Sequence, residues 1–322
     1  MEIRTLAHTD LAVSRACFGT MTFGSQTSQA DAARIVGRCL DAGINFFDTA
    51  NAYNGGRAEE ILGCVLKERR ARVILASKVG MKSGDPPDAS PLSPKSVLAN
   101  IEGSLRRLQT DYLDLYYLHM PDYATRIEES LEAMDRVVRA GKARHLAISN
   151  YASWQVAQVL WISEKNGYRA PMVSQSMYNL LARDIEHEYV PFCKEFGISI
   201  VVYNPLAGGL LSGKQVRERP LAGTRFDDNR LYLDRYWHPA FFEAVDELRG
   251  VAERAGRSLV ELSLNWLLHH TAADGVILGA SRMEQLEQNL AAFERGPLSP
   301  DTVAACDAVW RKLRGVTPHY SR

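Results

Sequence analysis

The sequence predicts an α/β protein in which eight parallel strands, each followed by helix, close into a (β/α)8 TIM barrel. Eight short apolar runs rich in Val, Ile, Phe and Tyr each precede a longer amphipathic stretch, which is the rhythm of parallel βα units. Runs such as ISIVVY are hydrophobic almost throughout, so they need cover on both faces, as a parallel sheet beneath helices provides. The first run is not followed by G-x-G-x-x-G, the signature of an open dinucleotide-binding sheet, which ranks that alternative second.

Taken in order, the strands fall at RACFG (15–19), INFFD (44–48), RVILAS (72–77), YLDLYYL (112–118), RHLAIS (144–149), PMVS (171–174), ISIVVY (198–203) and GVIL (275–278). The intervening helices fall at 29–41, 57–69, 94–108, 126–139, 153–165, 184–196, 239–255 with 258–269, and 282–293. Ser93 before Pro94 opens one helix and Ser153 heads another, while Gly43, Gly141, Gly167 and Gly197 close four more, each by the ordinary chemistry of helix ends. Three segments lie outside the repeat. Residues 2–14 read as a hairpin turning near His8, Thr9 and Asp10, and 299–313 as an extra C-terminal helix. Residues 205–237 form a connection long enough to be a lid or binding loop. No linker or low-complexity segment interrupts the chain, so residues 1–322 are expected to form a single domain.

Composition narrows the function. Of 322 residues, 46% are hydrophobic and 24% charged, ordinary values for a chain with a large core. Lys and Arg number 38, as do Asp and Glu, so no basic field invites nucleic acid or an anionic membrane. Zero net charge also permits a homo-oligomer. The N-terminus lacks an apolar signal core and no run is long enough to span a bilayer, making the cytoplasm the expected compartment. Cys17, Cys39, Cys64, Cys193 and Cys306 are scattered and odd in number; they read as reduced thiols, without metal-ligand spacing.

In a (β/α)8 barrel the reactive groups follow the strands at the C-terminal face. Here the apolar runs are followed by Asp48, Lys78, His119, Asn150, Gln175, Tyr203 with Asn204, and Gly279. Singly, an aspartate there caps a helix about as often as it reacts, a lysine snorkels to solvent, and a histidine satisfies a structural bond. Their concurrence on successive strand ends, with Tyr53 on the loop after Asp48, points to one site. A phenol ionises near pH 10 and is a poor acid unless its anion is stabilised. A neighbouring Lys78 ammonium favours the tyrosinate, Asp48 keeps that ammonium charged, and His119 orients a substrate oxygen.

Motifs along nearly the whole chain resemble the aldo-keto reductase superfamily: FGTMTFG (18–24), INFFDTANAY (44–53), ILASK (74–78), LDLYYLH (113–119), GKARHLAISNY (141–151), SQSMYN (174–179), YNPLAGGLLSGK (203–214) and GASRMEQLEQNL (279–290). NPLAGGLLSGK, RYW at 235–237 and PHYSR at 318–322 are most similar to the aflatoxin-aldehyde reductase branch and its bacterial relatives. The resemblance implies NADPH-dependent reduction of aldehydes or ketones, with Tyr53 as general acid, Lys78 and Asp48 tuning it, and His119 positioning the carbonyl.

It further implies that Gly19, Thr20 and Met21 lie below the nicotinamide and Asp48 beside its ribose. Ser149, Asn150 and Gln175 hold its carboxamide, and Tyr203 stacks on the ring. Asn204, Pro205, Leu206, Gly208, Leu210 and Lys214 wrap the pyrophosphate, where small residues let backbone amides approach an anion. Gly279, Ala280, Ser281 and Arg282, with Gln285, Gln288 and Asn289, open a helix whose N-terminus and arginine suit a 2′-phosphate. For the substrate, Met21, Phe23, Tyr53, Trp237, Phe226, Tyr232 and Tyr236 are candidates for an apolar mouth, with Arg235 and Arg322 as carboxylate anchors. Asn54, Ala58 and Met120 depart from the commonest family pattern and bear on pocket shape. Two other readings stand beside the reductase: a regulatory nucleotide-binding subunit, and an aldolase using Lys78 as a Schiff-base nucleophile.

Overall fold

The computed structural model describes residues 1–83, 85–87, 89–227 and 229–316. A two-stranded antiparallel hairpin, β1 (Ile3–Thr5) and β2 (Ala12–Ser14), precedes the barrel. The barrel strands are β3 (Ala16–Gly19), β4 (Phe46–Asp48), β5 (Ile74–Val79), β6 (Leu113–Leu118), β7 (Ala143–Ser149), β8 (Val173–Met177), β9 (Ser199–Tyr203) and β10 (Gly275–Gly279). All pair in parallel with their sequence neighbours, and β10 closes the ring onto β3.

The outer layer comprises α1 (Gln29–Asp41), α2 (Arg57–Leu66), α3 (Pro94–Leu108), α4 (Ile127–Arg139), α5 (Ser153–Asn166), α6 (Tyr189–Glu195), α7 (Arg230–Tyr236), α8 (Pro239–Arg254), α9 (Leu259–His270), α10 (Met283–Glu294) and α11 (Pro300–Arg314). Ser28, Ser93, Ser258 and Ser299 cap four of them by accepting from a backbone N–H of the first turn, satisfying donors the helix itself leaves free.

Two cores result. The larger lies between strands and helices and includes Phe18, Phe47, Leu118, Ile148 and Val202. The smaller fills the barrel interior with Cys17, Phe46, Ala76, Leu115, Tyr117, Ala147, Val173, Val201 and Ile277. Leu6, Leu11 and Val13 of the hairpin segment join this inner cluster, so the hairpin plugs the floor. Because strand side chains alternate between faces, the positions two residues beyond the inner cluster also face inward. They are Gly19, Asp48, Lys78, His119, Ser149, Gln175, Tyr203 and Gly279. The alternation that fills the core therefore delivers one polar or small residue per strand to the mouth.

Some boundaries differ from expectation. Segment 184–196 divides into a 3-10 turn at Asp184–Glu186 and α6, because Pro191 lacks an N–H and fits only the first turn of a helix. Ala152, not Ser153, occupies the N-cap of α5, and Gln155 Oε1 accepts the Ala152 N–H at 2.9 Å. The 205–237 connection carries structure of its own, a 3-10 turn at Ala207–Ser212 and the unforeseen α7. Phe226 anchors it, 5.1 Å centroid to centroid from Trp237 and 6.1 Å from Tyr232.

Candidate active site

Lys78 is fully buried at the top of β5. Its Nζ donates to Asp48 Oδ1, to Thr49 O at 2.8 Å and to Tyr53 Oη at 3.4 Å, which uses all three ammonium protons. Gln175 Nε2 donates to the other Asp48 oxygen at 2.9 Å, so the carboxylate is fixed from two strands. Tyr53 starts a 3-10 turn whose next residue, Asn54, has φ 52°. That left-handed conformation suits Asn, and Asn54 Nδ2 donates to Met21 O at 2.9 Å and Phe23 O at 2.7 Å. The tyrosine loop is thereby tied to the β3 exit. His119 follows β6, with its ring edge-on to Tyr53 at 6.0 Å.

Burial and charge act against each other in this cluster. Burial would lower the Lys78 ammonium, but Asp48 and Tyr53 beside it reverse the sign and hold it above the ordinary lysine value. Burial raises the Tyr53 phenol more than the Lys78 charge lowers it, leaving Tyr53 above its ordinary value. The phenol is thus protonated at neutral pH, with an ammonium placed to receive its anion. Burial, with Lys78 adding to it, brings His119 down to about 3, so the imidazole is neutral and able to donate from one nitrogen.

The remaining strand exits form a hydrogen-bonded arc. Tyr203 Oη donates to Asn150 Oδ1 at 2.6 Å, and Asn150 Nδ2 donates to His119 O at 2.9 Å and Ser149 Oγ at 3.0 Å. Thr20 is buried, its Oγ1 donating to Asp48 O at 3.1 Å. Gly19 is compelled, since a Cβ there would lie 2.7 Å from an Ile277 methyl. Beyond β9, Asn204, Ala207, Gly208 and Gly209 all take positive φ, 57°, 49°, 69° and 107°. Ala207 N donates to Asn204 O at 2.9 Å and Gly209 N to Leu206 O at 2.8 Å, closing the segment into a tight turn. Pro205 and Leu210 are buried, Leu206 and Gly208 half-buried and Lys214 exposed. Past β10, Gln285 Oε1 accepts from Ser281 N at 2.8 Å, Asn289 Nδ2 donates to Gly279 O at 3.2 Å, and Arg282 and Gln288 are exposed.

The substrate-side expectations divide. Met21 is exposed at the mouth and Trp237 is half-buried against Phe226 and Phe242. Phe23 is fully buried beside Phe18, and Phe226, Tyr232 and Tyr236 are buried too. These four rings pack the fold and do not line an open mouth; Tyr232 Oη donates to Asn204 Oδ1 at 3.3 Å and Tyr236 Oη accepts from Asn179 Nδ2 at 3.0 Å. Arg235 is half-buried with its guanidinium 5.7 Å from the Tyr232 ring. Arg322 and the PHYSR segment lie outside the described residues.

Sequence reasoning missed Arg225, which reaches Tyr232 Oη at 3.1 Å and Asn204 Oδ1 at 3.5 Å, and whose guanidinium lies 3.3 Å from where a Gly279 Cβ would stand. It therefore links the exits of β9 and β10. An arginine inside a long polar loop carries no periodic signal. In the sequence Asn54 is only a departure in pattern, and its clamp on the β3 exit needs coordinates to be seen.

A closed parallel barrel with buried Asp48 and Lys78 against a half-buried Tyr53 and a neutral histidine at its C-terminal mouth defines a class of carbonyl oxidoreductase. The sequence profile of the Aldo/keto reductase family matches residues 15–311, and the chain belongs to that family. Among its relatives are aflatoxin B1 aldehyde reductase member 2 of Rattus norvegicus, 38% identical over 94% of this chain and 86% of that protein, and aldo-keto reductase family 7 member A3 of Homo sapiens, 37% identical over 94% and 96%. A probable voltage-gated potassium channel subunit beta of Oryza sativa is 33% identical over 96% of each.

Proposed function

We propose that this protein is an NADPH-dependent reductase of aldehydes and ketones, a cytoplasmic single-domain enzyme with Tyr53 as general acid. The observation that carries the reading is the Lys78 ammonium held between Asp48 and the Tyr53 hydroxyl. A reduced nicotinamide, when bound, supplies the hydride. Tyr53 gives its proton to the carbonyl oxygen, Lys78 stabilises the phenolate that remains, and Asp48 keeps Lys78 charged. His119, neutral, donates a hydrogen bond to the same oxygen and sets its direction.

The residues fit a dinucleotide. Asn204 Nδ2 and His119 Nδ1 are buried polar atoms without a hydrogen-bond partner among the described residues, and such groups commonly await a ligand. Gly19, Thr20, Met21, Ser149, Asn150, Gln175 and Tyr203 would surround the nicotinamide. The turn holding Asn204, Pro205, Leu206, Gly208 and Leu210, with Lys214, would take the pyrophosphate, and Ser281 and Arg282 at the start of α10, with Gln285, Gln288 and Asn289, the 2′-phosphate. Arg235 would pair with a substrate carboxylate. Five free cysteines, four of them buried, agree with a reducing compartment.

The test is NADPH oxidation, with NADH in parallel, in the presence of 4-nitrobenzaldehyde, 2-carboxybenzaldehyde and succinic semialdehyde. Turnover that vanishes in Tyr53→Phe is the expected result. Tight nucleotide binding without turnover would instead favour a regulatory subunit, the reading that the similarity to a channel subunit keeps in view.

A further inference from the structure

Behind Tyr53 and Lys78 lies another buried charge, which the chemistry above does not use. Glu59 has no exposed surface and sits in the first turn of α2, the helix into which the Tyr53–Gly56 turn opens. Its Oε1 accepts from Ser77 Oγ at 2.5 Å, and its Oε2 accepts from Arg107 Nε and Nη2, both at 2.7 Å. Ser77 precedes Lys78 on β5 and stands opposite Tyr116 of the outer core. Strand side chains alternate, so Ser77 faces the helices while Lys78 faces the mouth.

The other partner, Arg107 of α3, is seated by two glycines. It runs across Gly56, the last residue of the Tyr53 turn, where φ is 91° and an added Cβ would stand 2.9 Å from Arg107 Cδ and Nε. At Gly103 a Cβ would stand 3.1 Å from Arg107 Nη1. Asn100 and Ser104, both buried, share this face of α3 with Arg107, at a spacing that puts them on one stripe. Asn100 Oδ1 accepts from Asn51 Nδ2 at 2.9 Å. The tyrosine loop therefore rests on α3 on both sides of Tyr53, at Asn51 and at Gly56, and Glu59 joins this seam to the strand that presents Lys78.

An ion pair in such a place adds little net stability, because desolvating the charges offsets their attraction and apolar residues would fill the seam as well. What a carboxylate supplies that an apolar side chain cannot is a pair of acceptors in fixed geometry, here shared between a strand and a helix. We infer that Glu59 and Arg107 are positioning residues that set the separation of the Tyr53 hydroxyl and the Lys78 ammonium, acting from behind the site without touching substrate. This rests on the reductase reading above, in which that separation governs the proton given to the carbonyl. A misplacement of about 1 Å in a reacting group costs about a hundredfold in rate.

The experiment compares kcat, KM and the pH profile of kcat/KM for 4-nitrobenzaldehyde with NADPH in the native protein, in Glu59→Leu/Arg107→Met, in Glu59→Gln and in Ser77→Ala. A glutamine can keep both ties, its amide donating to Ser77 Oγ and its oxygen accepting from Arg107, so Glu59→Gln is expected to retain most of the native kcat. The apolar pair is expected to lose about ten- to hundredfold in kcat with KM nearly unchanged. Its alkaline decline of kcat/KM should move to higher pH, because the phenol loses the lowering that Lys78 supplies. Ser77→Ala removes one hydroxyl and tests the same tie if the apolar pair does not fold; it is expected to lose about three- to tenfold in kcat, with the decline moved the same way. Native kcat in either variant, or a loss with the alkaline decline unmoved, would overturn the positioning role alone. No turnover of aldehydes by the native protein would overturn the reductase reading and this inference with it.

Discussion

Lys78 Nζ lies 3.4 Å from Tyr53 Oη with Asp48 on its other side and with no exposed surface. A buried ammonium so placed lowers the cost of the phenolate more than one in water would, because the surrounding protein screens less. Tyr53→Phe keeps the ring and removes the hydroxyl, and with it the proton donor and the oxygen that Lys78 bonds. Its kcat/KM is expected to fall by about 10²–10⁴, with NADPH affinity, read by fluorescence titration, within twofold of native.

Removing the ammonium has a separable structural effect. Lys78→Met leaves Asp48 buried without its counter-charge, and breaking such a pair costs about 3–5 kcal/mol. The double variant Asp48→Asn/Lys78→Met is expected to recover much of that stability, since Gln175 can still donate to the amide oxygen placed at position 48, but none of the activity. Urea unfolding midpoints together with turnover separate the two effects.

The depressed His119 makes a prediction about acid. Its folded value, about 3, is below the ordinary 6.5, so the unfolded chain binds a proton that the folded one refuses. The contribution of this neutral histidine is fully present above pH 6.5 and is lost as pH falls toward 3, at most about 1.4 kcal/mol per pH unit. His119→Asn is expected to flatten that part of the profile, measured by denaturant unfolding at pH 7, 6 and 5. A slope identical to native would exclude His119 as its source.

Tyr53 titrates above its ordinary value, so reduction should be level across neutral pH and decline only as the phenol itself loses its proton at alkaline pH. The measurement is kcat/KM for one aldehyde against pH. A decline centred near neutrality would point to a different acid.

Arg282 is exposed at the N-cap of α10. If it bonds the 2′-phosphate, Arg282→Ala forfeits a charge-assisted bond of about 1.5–3 kcal/mol, roughly a ten- to hundred-fold weaker Kd for NADPH. The Kd for NADH, which lacks that phosphate, should move less than twofold. Equal weakening of both nucleotides would place the arginine elsewhere in the site.

Much of this molecule was legible in its residues. All eight strands lie where the apolar runs are, because a strand covered on both faces must be apolar nearly throughout. Ser93 with Pro94, and Gly43, Gly141, Gly167 and Gly197, mark helix ends because each answers a local requirement of the backbone, whatever surrounds it; the four glycines take φ between 64° and 80°. Asp48, Lys78 and His119 were visible for the same reason: two-residue alternation, carried past the last inward core residue, makes the next inward residue the one at the mouth.

What the sequence could not decide is what depends on contacts between distant segments. Phe23 and Met21 stand two residues apart in one loop, yet one is sealed beside Phe18 and the other is open at the mouth, a division set by the Asn54 clamp and by packing. Arg225 acquires meaning only when β10 lies between the exits of β9 and β3. The sequence by itself determined the barrel and the residues that crown it, because burial and alternation are periodic and local. Only the tertiary structure decided which rings are core, which methionines remain exposed and which way the Tyr53 and Lys78 protons are biased, since these follow from desolvation and charge summed over the whole fold.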